Sequence, residues 1–354
     1  MENGTDFNET GFYTYPEAII LDKYVTIAVL VIGVPSNILS LIIWMQKRMR
    51  HSSGYYLAAL AANDLIFLFL VQIFEVNEIW QTAKPLSIPV ICQSFPIVYL
   101  TLQALSPCLV LAFTTERYIS ICHPFKREEF CTIRRAKIVM ASLTFACFSL
   151  TAVNGYFWTI EEECGLRSGV QQDFIIYQMI FEAIAFFFVP MTILVLNVLV
   201  IREMRRVSRM EPTQLQGGPS PRTGATTVML LAVSFYQIFT TLPISVVYGY
   251  VKYIPKTVKD RTTEMDLDLA LTIIKEYGIT HYAFNFIIYM ITGKMFRQEM
   301  RRLFLRPFTK LASGLPRDYS SLSTSARGNK HKAWVSVNGT ATDRKKTPTN
   351  ETLL

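Results

Sequence analysis

The chain has 354 residues, of which 51% are hydrophobic and 13% aromatic, and its formal net charge is +8 at pH 7. Its mean hydropathy is +0.29. A soluble protein of this size would expose too much apolar surface, so the composition favours a membrane protein. Lys and Arg cluster in short segments between apolar runs and in the tail, as in cytoplasmic loops, so the charge does not indicate nucleic-acid binding.

The first 23 residues are polar and acidic, and they do not show the charged, apolar and cleavage regions of a signal peptide. Residues 1–23 are therefore predicted to form an N-terminal tail, with the first apolar run acting as the insertion signal. Two N-x-T sequons, at Asn3 and Asn8, lie in this tail and are candidate glycosylation sites.

Seven apolar segments follow, and each is long enough to cross a hydrocarbon core about 30 Å thick. They lie at approximately 24–45, 54–76, 89–122, 136–157, 173–201, 224–251 and 268–291. The loops after the first, third, fifth and seventh segments are basic, whereas the alternate loops are acidic or mixed. This alternation predicts an all-α membrane protein with an extracellular N-terminus and a cytoplasmic C-terminus.

The third segment has a thiol at one end and an acid–arginine pair at the other. A helix from Cys92 to Arg117 is about 37 Å long at about 1.5 Å per residue, which matches a membrane span. Cys92 and Cys164 are the only cysteines at predicted outer positions, where the oxidising side favours a disulfide. At the inner end the sequence reads Glu116-Arg117-Tyr118.

Asp64 lies in the middle of the second segment, and charged residues within spans are expensive and usually functional. A buried carboxylate needs partners. We expect it to meet Asn37, Ser106 and Asn285 together with water or a cation.

After the seventh segment, residues 294–305 place apolar residues at helical spacing among basic ones, which predicts an amphipathic eighth helix on the inner membrane surface. Residues 24–293 would then form the bundle. Residues 306–354 are rich in Ser, Thr, Lys and Arg and are predicted to be a disordered cytoplasmic tail.

In combination, these features resemble the rhodopsin-type (class A) family of G-protein-coupled receptors over residues 24–305. The motifs that carry the resemblance are Asn37, Leu60–Asp64, Cys92, Glu116-Arg117-Tyr118, Pro190, Pro243 and Asn285-x-x-x-Tyr289. The resemblance implies that Glu116 holds Arg117 at rest and that activation releases Arg117 toward a heterotrimeric G protein. It also implies a sodium and water pocket at Asn37, Asp64, Ser106 and Asn285, and an inward swing of Tyr289 in the active state.

Three residues depart from the family pattern and bear on basal activity. Phe286 stands where the family usually has the proline of NPxxY, so the usual kink is removed. In the sixth helix, Thr241 replaces a common Trp and Gln237 replaces a usual Phe.

Within the resemblance, Tyr99 occupies the position at which amine receptors carry Asp, and Ile279 the position of the retinal lysine of opsins. Neither an amine nor retinal is therefore expected. Four stretches resemble the neuropeptide branch that includes FMRFamide receptors, namely SSGYYLAALAANDL (52–65), TGATTVMLL (223–231), NFIIY (285–289) and GKMFRQEMRRLF (293–304). This resemblance implies an extracellular peptide ligand. The outer pocket is predicted to contain Glu75, Tyr99, Gln103, Glu182, Tyr248 and Lys275.

Two pocket carboxylates and the acidic run Glu161–Glu163 suit a cationic, amidated peptide by charge pairing. The alternative is that Glu182 or Glu75 pairs with Lys275 and only joins helices, and that the acidic run is a solvated face. A receptor for a non-peptide small molecule or lipid remains a second interpretation. A seven-span transporter is a third, although the sequence shows no repeat of the kind it needs.

The resemblance places the protein in the plasma membrane, and no set of catalytic side chains indicates an enzyme. A tail cluster at Ser320, Ser321, Ser323, Thr324 and Ser325 could be phosphorylated and bind an arrestin, or could be a solvated linker. The terminal Thr352-Leu353-Leu354 resembles a PDZ-binding end.

Overall fold

The structure of the chain is a computed structural model that describes residues 15–71, 85–161, 163–209, 221–253 and 261–313. The chain divides into two compact units, Met1–Phe304 and Leu305–Leu354. The first unit holds the helical bundle. Of the second unit, the structure describes the helical residues 305–313.

Eight long helices succeed one another in the described ranges. They are α1 (Pro16–Trp44), α2 (Ser52–Val71), α3 (Pro89–Cys122), α4 (Ile133–Thr151), α5 (Gln171–Arg209), α6 (Pro221–Tyr253), α7 (Arg261–Thr292) and α8 (Lys294–Ser313). Two short strands, β1 (Trp158–Ile160) and β2 (Cys164–Leu166), form an antiparallel hairpin between α4 and α5. Single helical turns occupy the connections at Lys47–Met49, Pro85–Ser87, Pro124–Lys126, Arg127–Phe130 and Asn154–Phe157.

Six of the described helices, α1 to α6, are long and apolar enough to cross a membrane. The seventh predicted span, α7, is 32 residues long but is more polar. Its Glu276, His281 and Asn285 are buried, with exposures of 3%, 5% and 3%. Polar groups in a span face the interior of the bundle, so α7 is polar because of what it packs against.

The first helix begins eight residues before the predicted boundary at residue 24. Pro16 stands at its first turn, where the missing N–H of proline has no helical partner to lose. The added turns are held against α7, since the Tyr15 hydroxyl donates to Asp266 (3.1 Å) and Asp22 pairs with Lys275 (3.3 Å). Residues 16–23 of the predicted N-terminal tail are therefore helical and belong to α1.

The last helix also differs from its predicted boundary at residue 305, because α8 continues through Pro307 to Ser313. The boundary was placed at a proline, which usually ends helices.

The fifth helix contains a π-helical turn at Ala183–Phe188, between Glu182 and Val189. A π turn holds one residue more than an α turn and is often found at functional sites. Here Val189 separates the π turn from Pro190. Because proline has no backbone N–H, a carbonyl group in the preceding turn loses its usual helical donor.

The third helix lies at the centre of the bundle and contacts α2, α4, α5 and α6. Its buried face contributes Leu105, Leu109, Val110 and Phe113 to the main apolar core. On the outside of the bundle, apolar side chains such as Phe145 (73% exposed) remain open to the surroundings, as expected for a lipid-facing surface.

The connection from α7 to α8 is a single residue, Gly293. A Cβ there would lie 2.7 Å from the Tyr289 carbonyl oxygen and 2.7 Å from the Met229 sulfur, so only glycine fits. The Arg297 guanidinium donates to the carbonyls of Met290 (3.0 Å) and Ile291 (2.6 Å) and so satisfies the end of α7.

Candidate functional site

An outer cavity of about 220 Å³ opens between α2, α3, α5, α6 and α7. Four of the six predicted pocket residues, Tyr99, Gln103, Glu182 and Lys275, line it. Glu75 lies outside the described residues, and the structure does not describe the side chain of Tyr248. Lining residues that the sequence analysis did not assign to the pocket are Phe67, Leu100, Gln178, Phe186, Gln237, Thr241, Ile244, Ser245, Gly278, Ile279, His281 and Tyr282.

The cavity carries charges of both signs. Lys275 forms an ion pair with Asp22 of α1 at 3.3 Å, and Glu182 accepts from the Gln178 amide at 2.9 Å. The alternative given in the sequence analysis pairs Lys275 with Glu182 or Glu75. It does not include Asp22, because residue 22 is predicted there to lie in the N-terminal tail. With Asp22 beside Lys275, these three charged groups have a net negative charge.

Two residues that depart from the family pattern form the floor of the cavity. The Gln237 amide donates to the Thr241 hydroxyl at 3.1 Å, and the side chains are 2% and 3% exposed. Smaller polar groups therefore stand where the resemblance would place aromatic rings, which deepens the cavity and makes its floor polar.

Two further atoms add hydrogen-bond acceptors to the cavity. His281 Nδ1 donates to the Gly278 carbonyl at 2.6 Å, which leaves Nε2 as an acceptor, and Nε2 is buried without a partner. The Gln178 amide oxygen is also unpartnered. Together with the Glu182 carboxylate, these atoms suit a ligand group with several N–H donors.

A second polar cluster surrounds Asp64, which is fully buried in α2. One carboxylate oxygen accepts from the Asn285 amide at 2.9 Å, while Asp64 Oδ1 and Ser106 Oγ are buried without a partner. Two unpartnered oxygens, one of them anionic, fit the oxygen chemistry of a hard cation such as sodium.

Asn37 contributes to this region in another way. Its amide nitrogen donates to the main-chain carbonyls of Gly33 (3.0 Å) and Tyr282 (2.6 Å), and so joins α1 to α7. The sequence analysis expects Asn37 to meet Asp64. In the structure the Asn37 amide nitrogen instead forms a hydrogen bond from α1 to the Tyr282 carbonyl of α7. His281 of α7 lines the outer cavity.

At the inner end of α3, Glu116 and Arg117 are 6% and 9% exposed. Glu116 Oε1 accepts from the hydroxyls of Ser52 (2.6 Å) and Ser53 (2.8 Å) and lies 3.4 Å from the Arg117 guanidinium. The guanidinium also donates to the Ser53 hydroxyl. The two serines, which the sequence analysis overlooked, hold the acid–arginine pair against α2.

The remaining inner residues of the motifs lie in different surroundings. Tyr118 packs edge-on against His123, with ring centroids 5.5 Å apart. Tyr289 is 1% exposed and packs between Trp44 (5.4 Å) and Phe296 (5.2 Å). Because its ring fits into this aromatic cluster, an inward swing of Tyr289 would have to break both contacts.

Phe125 is 100% exposed, on the connection between α3 and α4. The basic residues Lys126 and Arg127 follow it in the sequence.

A disulfide joins Cys92 of α3 to Cys164 of β2, with a Cα–Cα distance of 5.7 Å. The other cysteines in the described residues, Cys108, Cys122, Cys131 and Cys147, are free. Beside the hairpin, Glu161 accepts from the Ser168 backbone (3.0 Å) and hydroxyl (2.5 Å), and these bonds lower the pKa of its carboxyl. The Glu161 carboxylate is therefore hydrogen-bonded within the same segment, to residue 168.

Several predicted sites lie outside the described residues. They are the sequons at Asn3 and Asn8, the serine and threonine cluster at 320–325, and the C-terminal residues 352–354.

Comparison with known proteins agrees with this geometry. Residues 36–289 match the family described as 7 transmembrane receptor (rhodopsin family). The FMRFamide receptor of Drosophila melanogaster is 27% identical over 307 residues, which cover 79% of this chain and 52% of that receptor. The chain therefore spans about half the length of that relative.

Two further groups of relatives are receptors named for peptides. The thyrotropin-releasing hormone receptor of Homo sapiens is 32% identical over 150 residues, 40% of this chain and 37% of that receptor. Neuromedin-U receptor 2 of Mus musculus is 28% identical over 294 residues, 78% of this chain and 73% of that receptor. Because the family match covers most of the bundle, the chain belongs to the rhodopsin family of seven-transmembrane receptors, which is not an enzyme family.

Proposed function

We propose that this chain is a plasma-membrane receptor that a cationic, amidated peptide activates from outside and that signals through heterotrimeric G proteins. The single observation that carries the proposal is the contrast between an open, acceptor-rich outer cavity and a buried Arg117 at the inner end. The relatives named for FMRFamide, thyrotropin-releasing hormone and neuromedin U support the peptide class.

The ligand chemistry follows from the polar groups of the cavity. Glu182 and the Gln178 amide oxygen stand one helical turn apart on α5, and a guanidinium offers five N–H donors in a rigid fork that can meet both. His281 Nε2 on the floor accepts a further N–H, such as that of a terminal carboxamide. An arginine and an amidated end of one peptide supply both groups.

Activation is a shift between two populations, and the ligand favours the state with the inner ends of α5 and α6 apart. In the resting state Glu116, Ser52 and Ser53 restrain Arg117. Separation of the helices exposes Arg117 to the G protein, and Phe125 with its basic neighbours adds a docking surface on the same side. Asn285 and Tyr289 of α7 connect the Asp64 cluster to this inner end.

A sodium ion between Asp64 and Ser106 would neutralise the buried carboxylate and stabilise the resting state. Asn285 would orient that carboxylate through the hydrogen bond it already makes. Asn37 would contribute indirectly, by fixing α1 against α7.

The orientation completes the proposal, with the N-terminus outside and the C-terminus in the cytoplasm. Asn3 and Asn8 would then be glycosylated. The phosphorylated tail would bind an arrestin, and the last three residues a PDZ domain. Truncation after residue 313, followed by measurement of arrestin recruitment and PDZ capture, tests the last two partners.

The deciding experiment measures calcium and cyclic-AMP responses of transfected cells to a library of amidated peptides, with amines and lipids as parallel arms. A peptide response in the nanomolar to low-micromolar range supports the proposal. A response to a lipid or amine alone would retain the receptor but exclude the peptide. Silence toward every ligand, with receptor verified at the cell surface, would contradict the proposed function.

A further inference from the structure

A closed polar crevice lies between the inner halves of α3, α5 and α6. Its polar lining includes Thr114 and Arg117 of α3, Asn197 of α5 and Ser234 of α6, its apolar lining is Val200, Leu230 and Leu231, and its free volume is about 0 Å³. These four residues are buried, with exposures of 2%, 9%, 1% and 1%. Polar groups have therefore been packed together at the place where α6 must separate from α3 and α5.

Two donors in this crevice have no hydrogen-bond partner, namely the Asn197 amide nitrogen and Arg117 Nε. Both are donors, so they cannot satisfy each other. A buried donor without an acceptor raises the free energy of the state that buries it. This penalty applies to the closed arrangement and is relieved when the crevice opens to water or to a partner with free carbonyl groups.

A contact between two hydroxyl groups of the crevice has the opposite effect and stabilises the closed arrangement. Thr114 Oγ1 and Ser234 Oγ are 3.1 Å apart and connect α3 to α6. Each hydroxyl also lies within bonding distance of a carbonyl in its own helix, Val110 (2.7 Å) or Leu230 (2.9 Å). Because each hydroxyl has one proton, the link between helices competes with these bonds and is weak.

We propose that Asn197 is a positioning residue of the inner switch, whose unpartnered amide destabilises the closed crevice and so biases the receptor toward release of Arg117. The Thr114–Ser234 link partly offsets this bias and holds the crevice closed. The inference rests on the proposed function for its signalling consequence, but the stability of the closed state can be measured without any ligand or G protein.

The test removes the amide and leaves the rest of the crevice unchanged. In purified, ligand-free full-length receptor, Asn197→Leu should raise the thermal midpoint by about 2–4 °C, because a buried donor is removed and apolar contact is gained. In cells, the same variant should lower ligand-independent signalling by about fivefold. Thr114→Val should change both quantities in the opposite direction and by less.

A matched control is available at the outer end of α4. Asn154 is 0% exposed, and its amide oxygen is buried without a partner. Unlike that of Asn197, however, its amide nitrogen makes two hydrogen bonds, to the Thr151 carbonyl (2.8 Å) and the Tyr177 hydroxyl (3.0 Å), and both are lost in a leucine variant. Asn154→Leu should therefore lower the thermal midpoint. If leucine overpacks the closed crevice, Asn197→Ala and Asn154→Ala form a second pair, in which the Asn197 variant should be the more stable.

The inference is overturned if both Asn197 variants lose as much thermal stability as the Asn154 variants, since the amide would then be stabilising. It is also overturned if Asn197→Leu is more stable yet ligand-independent signalling rises. If no ligand activates the receptor, the proposed function fails, but the two thermal comparisons still decide the role of Asn197 in the closed state.

Discussion

The outer and inner ends of the bundle are polar for different reasons. At the outer end, a cavity of about 220 Å³ is lined by acceptors, including unpartnered ones such as the Gln178 oxygen and His281 Nε2. At the inner end the crevice beside Arg117 has about 0 Å³ of free volume, and Glu116 meets three donors. Under the proposed function, the first arrangement suits ligand binding, and the second keeps Arg117 inaccessible to a partner.

The disulfide is the largest stabilising feature at the outer end. Cys92→Ser and Cys164→Ser should each remove most receptor from the cell surface, because loss of a native disulfide typically costs about 2–5 kcal/mol. Flow cytometry of an N-terminally tagged receptor measures this loss. Cys122→Ser, which removes a free thiol, is the control. Clearly different losses for the two disulfide variants would mean that the bond is not what stabilises this end.

Loss of Arg117 should separate signalling from folding. Arg117→Ala should abolish the ligand response while surface expression stays mostly intact, since Ser52 and Ser53 still donate to Glu116. A dose–response curve normalised to surface receptor measures this effect. Arg135→Ala, at an exposed ion pair with Glu129, is the control. Normal signalling by a well-expressed Arg117→Ala variant would remove Arg117 from the mechanism.

Glu182 tests the charge of the outer cavity. Glu182→Gln should reduce the potency of an arginine-containing amidated peptide by about tenfold or more, because a charge-assisted hydrogen bond becomes a neutral one. The same peptide with citrulline in place of arginine should lose little potency between the two receptors. Equal losses for both peptides would show that Glu182 acts on structure alone. Glu129→Gln, at the end of the bundle opposite the cavity, controls for a general change of charge.

The Asp22–Lys275 pair should have the smallest effect. Its side chains are 25% and 33% exposed, and partly solvated pairs contribute about 1 kcal/mol or less. A double-mutant cycle of Asp22→Asn and Lys275→Met, followed by thermal midpoint, measures the coupling. A coupling of several kcal/mol would mean that the outer end is fixed by this pair rather than adaptable to a ligand.

Sequence periodicity and charge alternation were sufficient to predict the bundle and the disulfide, because spans and topology depend on local composition. The predicted range of α3, 89–122, agrees with the structure at both ends. The acid–arginine pair was also predicted, since its members are adjacent in the chain.

Partners distant in sequence could not be predicted in the same way. Ser52 and Ser53 are common residues and acquire their role only when α2 packs against α3. Asp22 lies in a polar stretch that is predicted from sequence to be part of the N-terminal tail. Its counter-ion, Lys275, is on α7 and distant in sequence, so the pair forms only in the folded bundle. The carboxylate of Glu276 was overlooked for a similar reason, because its partner Thr26 lies on α1 (3.2 Å).

The π turn at Ala183–Phe188 sets the rotational phase of the outer half of α5. One extra residue in a turn rotates everything before it by about 100° relative to everything after it. Gln178 and Glu182 come just before the turn, so their direction depends on that single added residue. If residues 183–188 formed regular α turns instead, both acceptors would turn away from the cavity, whereas deletion of Ala185, which does not line the cavity, would let a regular α-helix keep them directed into it.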